Sequence, residues 1–240
     1  MKRVIVIPAR YASTRLPGKP LLDVAGKPLI EWVWEAARAS KLADGVLIAT
    51  DDERIAKRCV AFGAEVAMTG ECASGTDRVC KALEGREADF VINLQGDEPE
   101  IRGDMIDALF SALEDGGTDM ATLCSVIDDP EEYASPDVVK CVLDEKGFAL
   151  YFSRSPVPYG QQGKTATLYK HIGIYGFTRP FLETFVRLPK GRLEEAESLE
   201  QLRALEAGYR IRVIVTEYDG TGVDTQADLD TAAARLGRRA

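Results

Sequence analysis

Apolar positions in this chain fall into two alternating patterns. Short unbroken apolar runs at 2–7, 45–50 and 90–94 read as strands buried on both faces. Between them, residues 30–39, 53–62, 77–83 and 104–114 carry apolar positions at helical spacing. A shorter run at 65–68 adds another strand, and Asp51-Asp52 forms a good N-terminus for the helix that follows it. Strands are expected next at 120–125, 138–143, 149–154, 168–177 and 210–215, and helices at 181–188, 193–207 and 227–236. Strand–helix alternation in the first half predicts a mostly parallel sheet with right-handed crossovers and helices on both faces. The less regular stretch from about 125 to 185 reads as an inserted subdomain. No repeat or flexible linker divides the chain, so a single α/β domain over 1–240 is the simplest organisation.

Composition narrows the partners. The net charge is −9, with 39 acidic and 30 basic residues, which argues against a general nucleic-acid binder. No apolar stretch resembles a signal-peptide core or is long enough to span a bilayer, so a cytoplasmic protein without a membrane partner is expected. Five scattered cysteines and a single histidine make a Cys/His zinc site improbable and fit reduced thiols.

On this acidic chain, the loop after the first strand stands out. Residues 8–20 read PARYASTRLPGKP and place Arg10, Arg15 and Lys19 at the carboxyl end of that strand. Open α/β sheets bind ligands at this end. Three fixed positive charges there suit a polyphosphate, with arginine offering bidentate contacts and Gly18 allowing close backbone approach. The pattern is neither a Walker loop nor G-x-G-x-x-G, which counts against a P-loop hydrolase and a nicotinamide-dependent oxidoreductase.

Asp97 ends the strand at 90–94 within Gln95-Gly96-Asp97-Glu98-Pro99. A carboxylate at that position can serve as a magnesium ligand or as a turn residue, because Mg²⁺ takes one or two protein carboxylates plus phosphates and waters. Asp224 precedes the last helix and competes with Thr225 as its cap. Alternation puts His171, Gly173 and Tyr175 on one strand face, where they line a pocket or pack in the core. Arg154 and Lys170 suit an anionic substrate, and Glu200 or Gln201 suits hydroxyl recognition.

Eight segments together resemble the 3-deoxy-manno-octulosonate (Kdo) cytidylyltransferase family, also called CMP-Kdo synthetases. They are IPARYASTRLPGKPL (7–21), ATDDERI (49–55), SGTDR (74–78), NLQGDEP (93–99), ALYFSR (149–154), HIGIYG (171–176), LEQLR (199–203) and GVDT (222–225). The resemblance implies a Rossmann-like nucleotidyltransferase fold, a cytoplasmic homodimer and Mg²⁺ dependence. It implies transfer of CMP from CTP to Kdo, releasing pyrophosphate, for lipopolysaccharide biosynthesis. Under it, Arg10 and Lys19 bind the triphosphate and, with the Mg²⁺ ligands Asp97 and Asp224, form the catalytic set. Ala9, Arg15, Ser74, Thr76, Arg78 and Gln95 join the nucleotide side. Gln95, Arg154, His171, Tyr175 and Glu200 fall on the sugar side.

One position departs from the family. Many members carry histidine two residues before SGTDR, whereas this chain has Cys72. A branch using the 8-amino analogue of Kdo also lacks that histidine, so Cys72 bears on which acidic eight-carbon sugar is used. The rival readings are a cytidylyltransferase for that analogue or a sialic acid, an NAD(P)-dependent oxidoreductase, and a catalytically silent nucleotide-binding regulator.

Overall fold

The computed structural model describes residues 1–12, 16–161, 166–220 and 222–238. The chain divides into two compact units, Met1–Phe110 with Asp219–Ala240, and Ser111–Tyr218. The second unit is wider than the excursion expected at 125–185.

In the first unit, β1 (Arg3–Ala9) is an almost wholly buried run, RVIVIPA. It pairs in parallel with β4 (Gly45–Thr50) on one side and β6 (Phe90–Leu94) on the other. β5 (Glu65–Met68) extends this sheet beyond β4, also in parallel. The connections carry α1 (Leu29–Arg38), α2 (Glu53–Ala61) and α3 (Gly75–Ala82). Each helix begins where the sequence offers a signal. Pro28 precedes α1, Asp52 accepts bonds from the Arg54 and Ile55 amides at α2, and Ser74 accepts one from Asp77 at α3. A hairpin of two-residue strands, β2 (Asp23–Val24) and β3 (Lys27–Pro28), was not foreseen, being too short to show an alternating pattern. The helix α4 (Gly103–Glu114) runs across the division between the units.

The second unit is mixed. β7 (Met120–Val126) pairs antiparallel with β10 (Tyr169–Thr178) and parallel with β11 (Arg212–Val215). β8 (Lys140–Leu143) pairs with β10 and with β9 (Ala149–Ser153), both antiparallel. A short helix, α5 (Pro130–Ala134), precedes β8, and α6 (Arg179–Phe185) follows β10.

The single helix expected over 193–207 is instead two, α7 (Arg192–Glu197) and α8 (Leu202–Glu206). Ser198 between them takes a left-handed conformation, φ 54°. Arg203 reaches back to Glu194 through bonds of 2.7 and 2.6 Å, and both side chains are buried. Nine residues of straight helix would separate the two by about 13.5 Å along the axis, so this ion pair requires the break.

The chain then returns to the first unit as α9 (Gln226–Leu236), capped by reciprocal bonds between Thr225 and Asp228. Val223, Leu229, Ala232 and Leu236 pack there against Val24, Leu29 and Trp32. None of the helices among the described residues is long and apolar enough to cross a membrane.

Candidate functional site: a lysine between two carboxylates

The loop after β1 is shaped by its own backbone. The Gly18 amide donates to the Tyr11 carbonyl at 3.0 Å, and Gly18 sits at φ 70°. A Cβ there would meet the Tyr11 ring at 3.0 Å, so glycine serves both the backbone angle and the close approach. Arg54 stacks on the Tyr11 ring, 3.4 Å from its centroid. The turn delivers Lys19 into a single helical turn at 19–21.

The Lys19 ammonium is the centre of the site. Its Nζ donates to Asp97 Oδ2 at 2.7 Å, to the Val223 carbonyl at 2.8 Å and to Asp224 Oδ1 at 3.0 Å. Burial works against this charge, but Asp97 and Asp224 outweigh it and hold the lysine above its ordinary pKa. Asp97 and Asp224, 127 positions apart in the chain, thus converge on one cation. The Val223 amide donates to the Asp97 carbonyl at 2.8 Å and locks the two loops together. Thr225, not Asp224, takes the capping role at α9, which leaves the Asp224 carboxylate to the site. A second close approach brings β1 against the Asp97 turn, where a Cβ on Gly96 would lie 3.0 Å from the Pro8 carbonyl. Two carboxylates already gathered on one cation are a donor set of the kind Mg²⁺ takes. Among the described residues there is no cluster of three or more His, Cys, Asp or Glu side chains suited to a metal.

The remaining first-unit candidates separate into two kinds. Arg10 is exposed, with no hydrogen bond or ion pair among the described residues. Ala9 is buried at the end of β1, opposite Thr50 of β4. Gln95 donates from Nε2 to Asn93 Oδ1 at 2.9 Å, and Asn93 donates to Thr76 Oγ1 at 3.1 Å. This relay fixes the Gln95 amide, and Asn93 was not singled out from sequence because a buried strand asparagine carries no pattern. Ser74 caps α3. Arg78 is buried and turned inward, donating to Thr69 Oγ1 and Asp51 Oδ2, each at 2.7 Å, and to the Gly70 carbonyl at 3.2 Å. Cys72, half-buried in the same loop, lies 3.8 Å from the Gly70 carbonyl. Arg15 lies outside the described residues.

In the second unit, His171 and Tyr175 share a face as alternation predicted, with ring centroids 5.4 Å apart despite an irregularity in the β7–β10 register between Ile172 and Tyr175. The Thr122 hydroxyl donates to the Ile174 carbonyl at 2.7 Å, so at 2.9 Å from His171 it accepts from Nε2–H. Desolvation pushes the His171 pKa down to about 3, and Phe152 packs edge-on against the ring. His171 is therefore a neutral hydrogen-bonding group near pH 7 rather than a base or an ion. The Tyr175 hydroxyl donates to Gln201 Oε1 at 3.0 Å, while the buried Gln201 Nε2 has no hydrogen-bond partner among the described residues. Glu200 lies 3.8 Å from Arg203. The Arg154 guanidinium donates to the carbonyls of Glu197 at 2.8 Å and Pro136 at 3.1 Å. Lys170, which suits an anionic substrate by its charge, is paired with Glu132 at 2.7 Å.

The fold and this charge arrangement describe a nucleotidyltransferase, and the profile of the cytidylyltransferase family matches residues 4–211. The chain belongs to the cytidylyltransferase family. More particularly, it is 51% identical over 240 residues to the 3-deoxy-manno-octulosonate cytidylyltransferase of Anaeromyxobacter sp. (strain Fw109-5), covering 98% of each chain. It is 47% identical over 242 residues to the 8-amino-3,8-dideoxy-manno-octulosonate cytidylyltransferase of Shewanella halifaxensis (strain HAW-EB4), covering 98% of this chain and 99% of that one. A solved CMP:2-keto-3-deoxy-manno-octonic acid synthetase complexed with CTP matches over 100% of both chains, with TM-score 0.96 and 45% identity. The resemblance read from the eight motifs holds across nearly all of the chain.

Proposed function

We propose that this chain transfers CMP from CTP to the anomeric hydroxyl of Kdo, giving CMP-Kdo and pyrophosphate for lipopolysaccharide biosynthesis. The observation that carries the reading is its likeness, at TM-score 0.96 and 45% identity, to a synthetase of CMP and this sugar acid complexed with CTP. The convergence of Asp97 and Asp224 on Lys19 supplies matching chemistry.

The attacking hydroxyl approaches the α-phosphorus in line with the departing pyrophosphate, and the reaction depends on positioning and charge neutralisation. Arg10 and Lys19 neutralise the triphosphate and the charge that builds on the leaving group, and Arg15 is a further nucleotide-binding cation. Ala9, Ser74 and Thr76 form the nucleotide side, and Gln95, fixed by Asn93, orients substrate. Arg78, engaged with Asp51 and Thr69, serves that side as a positioning residue. Asp97 and Asp224 are the residues to hold Mg²⁺, and the chemistry supplied there is polarisation of the α-phosphate and a lowered pKa for the attacking hydroxyl.

For the sugar we propose Arg154, His171, Tyr175 and Glu200. Neutral His171, the Tyr175 hydroxyl and the Gln201 amide nitrogen, which has no partner among the described residues, suit hydroxyl groups. A cytoplasmic homodimer completes the reading, the dimer being checked by light scattering of the purified protein.

The second reading keeps the reaction and changes the sugar. Cys72 and the 47% identity to an 8-amino-3,8-dideoxy-manno-octulosonate cytidylyltransferase favour it. Pyrophosphate release is the test, measured from CTP and Mg²⁺ with Kdo, 8-amino-Kdo, sialic acid or no sugar. Release with Kdo alone is expected. Preference for the amino sugar selects the second reading, and no release with any sugar removes the enzyme assignment.

A further inference from the structure

An ammonium group has three N–H donors. At Lys19 all three are spent inside the protein, on Asp97, on the Val223 carbonyl and on Asp224, at 2.7, 2.8 and 3.0 Å. A lysine that is to hold a phosphate chain must first give up one of these bonds, and giving up a carboxylate removes the ammonium charge that faces it. Conversely, a divalent cation that takes the two carboxylates must compete with a positive charge already seated on them.

We infer that Lys19 is a built-in counter-ion for Asp97 and Asp224, which holds off a divalent cation until a phosphate chain accepts the ammonium in exchange. This rests on the reading of Asp97 and Asp224 as the metal ligands. Phosphate and cation binding are then coupled through one side chain: each makes the other tighter, to the same degree, because each removes what the other must displace. The counter-ion also explains how the two carboxylates stay gathered. Left without a cation they would repel each other, and the Asp97 and Asp224 loops would carry that cost.

Mn²⁺ alone, followed by the paramagnetic signal of the free ion, tests the inference without turnover. Lys19→Met removes the charge and keeps the stem, and is expected to bind Mn²⁺ at least ~10-fold tighter than the wild type without nucleotide, since an adjacent like charge has gone. Lys19→Arg keeps the charge and should not tighten binding. Lys19→Met should also melt lower than the wild type without metal and recover when Mn²⁺ is added. Should Lys19→Met fail to fold, Lys19→Gln answers the same question. Equal or weaker affinity in the uncharged variants, or binding too weak to measure in all of them, overturns the counter-ion role. The double variant Asp97→Asn/Lys19→Met separates the two readings. If it loses the tightened binding, the ion sits on Asp97 as proposed. If it retains that binding, the metal assignment fails, and the inference with it.

Discussion

The two units use charge in opposite ways. In the first, Lys19, Asp97 and Asp224 form a partly open ion cluster, with the Asp224 side chain 45% exposed. In the second, the Glu194–Arg203 pair is almost sealed, with side chains 9% and 7% exposed, and it holds a helix break together. The same unit also holds polar groups that are neutral: His171, Tyr175 and Gln201. A polyphosphate calls for mobile ionic partners, whereas a sugar's hydroxyls are best distinguished by fixed neutral donors and acceptors. The same residue types therefore mean different things in the two regions, and burial decides which.

The largest expected effect breaks the sealed pair. Arg203→Leu should destabilise the protein by about 3–5 kcal/mol in urea denaturation, because a buried carboxylate is left without its partner. A loss below about 1 kcal/mol would place that pair with the ordinary surface ion pairs and erase the contrast. Asp97→Asn should do the reverse. Melting should change little, while kcat falls at least ~100-fold, about 2.7 kcal/mol of barrier. Near-normal turnover in the folded variant would remove Asp97 from the catalytic set.

A smaller effect concerns acid. The folded-state pKa of His171, about 3, lies below the unfolded value near 6.5. Between those values the unfolded chain binds a proton that the folded one does not, so stability rises with pH there. The contribution is intact above pH 6.5 and is lost at about 1.4 kcal/mol per pH unit on acidification toward pH 3. The difference in denaturation free energy between wild type and His171→Gln, followed from pH 8 to pH 4.5, should show this slope. A flat difference would mean that the ring charges freely. Smallest is Thr225→Ala, expected to cost about 1 kcal/mol as a lost cap while leaving Asp224 in service. A collapse of activity in that variant would show that the cap also positions the carboxylate.

Most of the first unit was legible because parallel buried strands are continuous apolar runs and its helices start on recognisable caps. The nearness of Lys19 to Asp97 followed from both lying after neighbouring parallel strands, β1 and β6. Asp224 was harder, since only the return of α9 brings it there. The second unit yielded less. The break at Ser198 depends on Glu194 meeting Arg203, a tertiary contact that overrides an unbroken helical pattern. The resemblance put Arg78 on the nucleotide side, and the sequence shows its cation but not the Asp51 and Thr69 that hold it. Lys140 is a further case. It is fully buried, with its ammonium on the carbonyls of Ser135, Val138 and Arg154, and nothing in its surroundings in sequence marks it as a core residue.

The return of residues 219–236 to the first unit has a consequence for how the protein is made. Translation emits Lys19 and Asp97 early, in a segment that already holds four paired strands. Asp224, and the Val223 carbonyl that takes the third ammonium proton, emerge only after the whole second unit has been synthesised. A product cut short anywhere before them retains a strand framework and a lysine with one carboxylate, and nothing to complete the cluster. The late arrival acts as an order check: a nascent chain has no finished site until residues 223 and 224 have followed the second unit out of the ribosome.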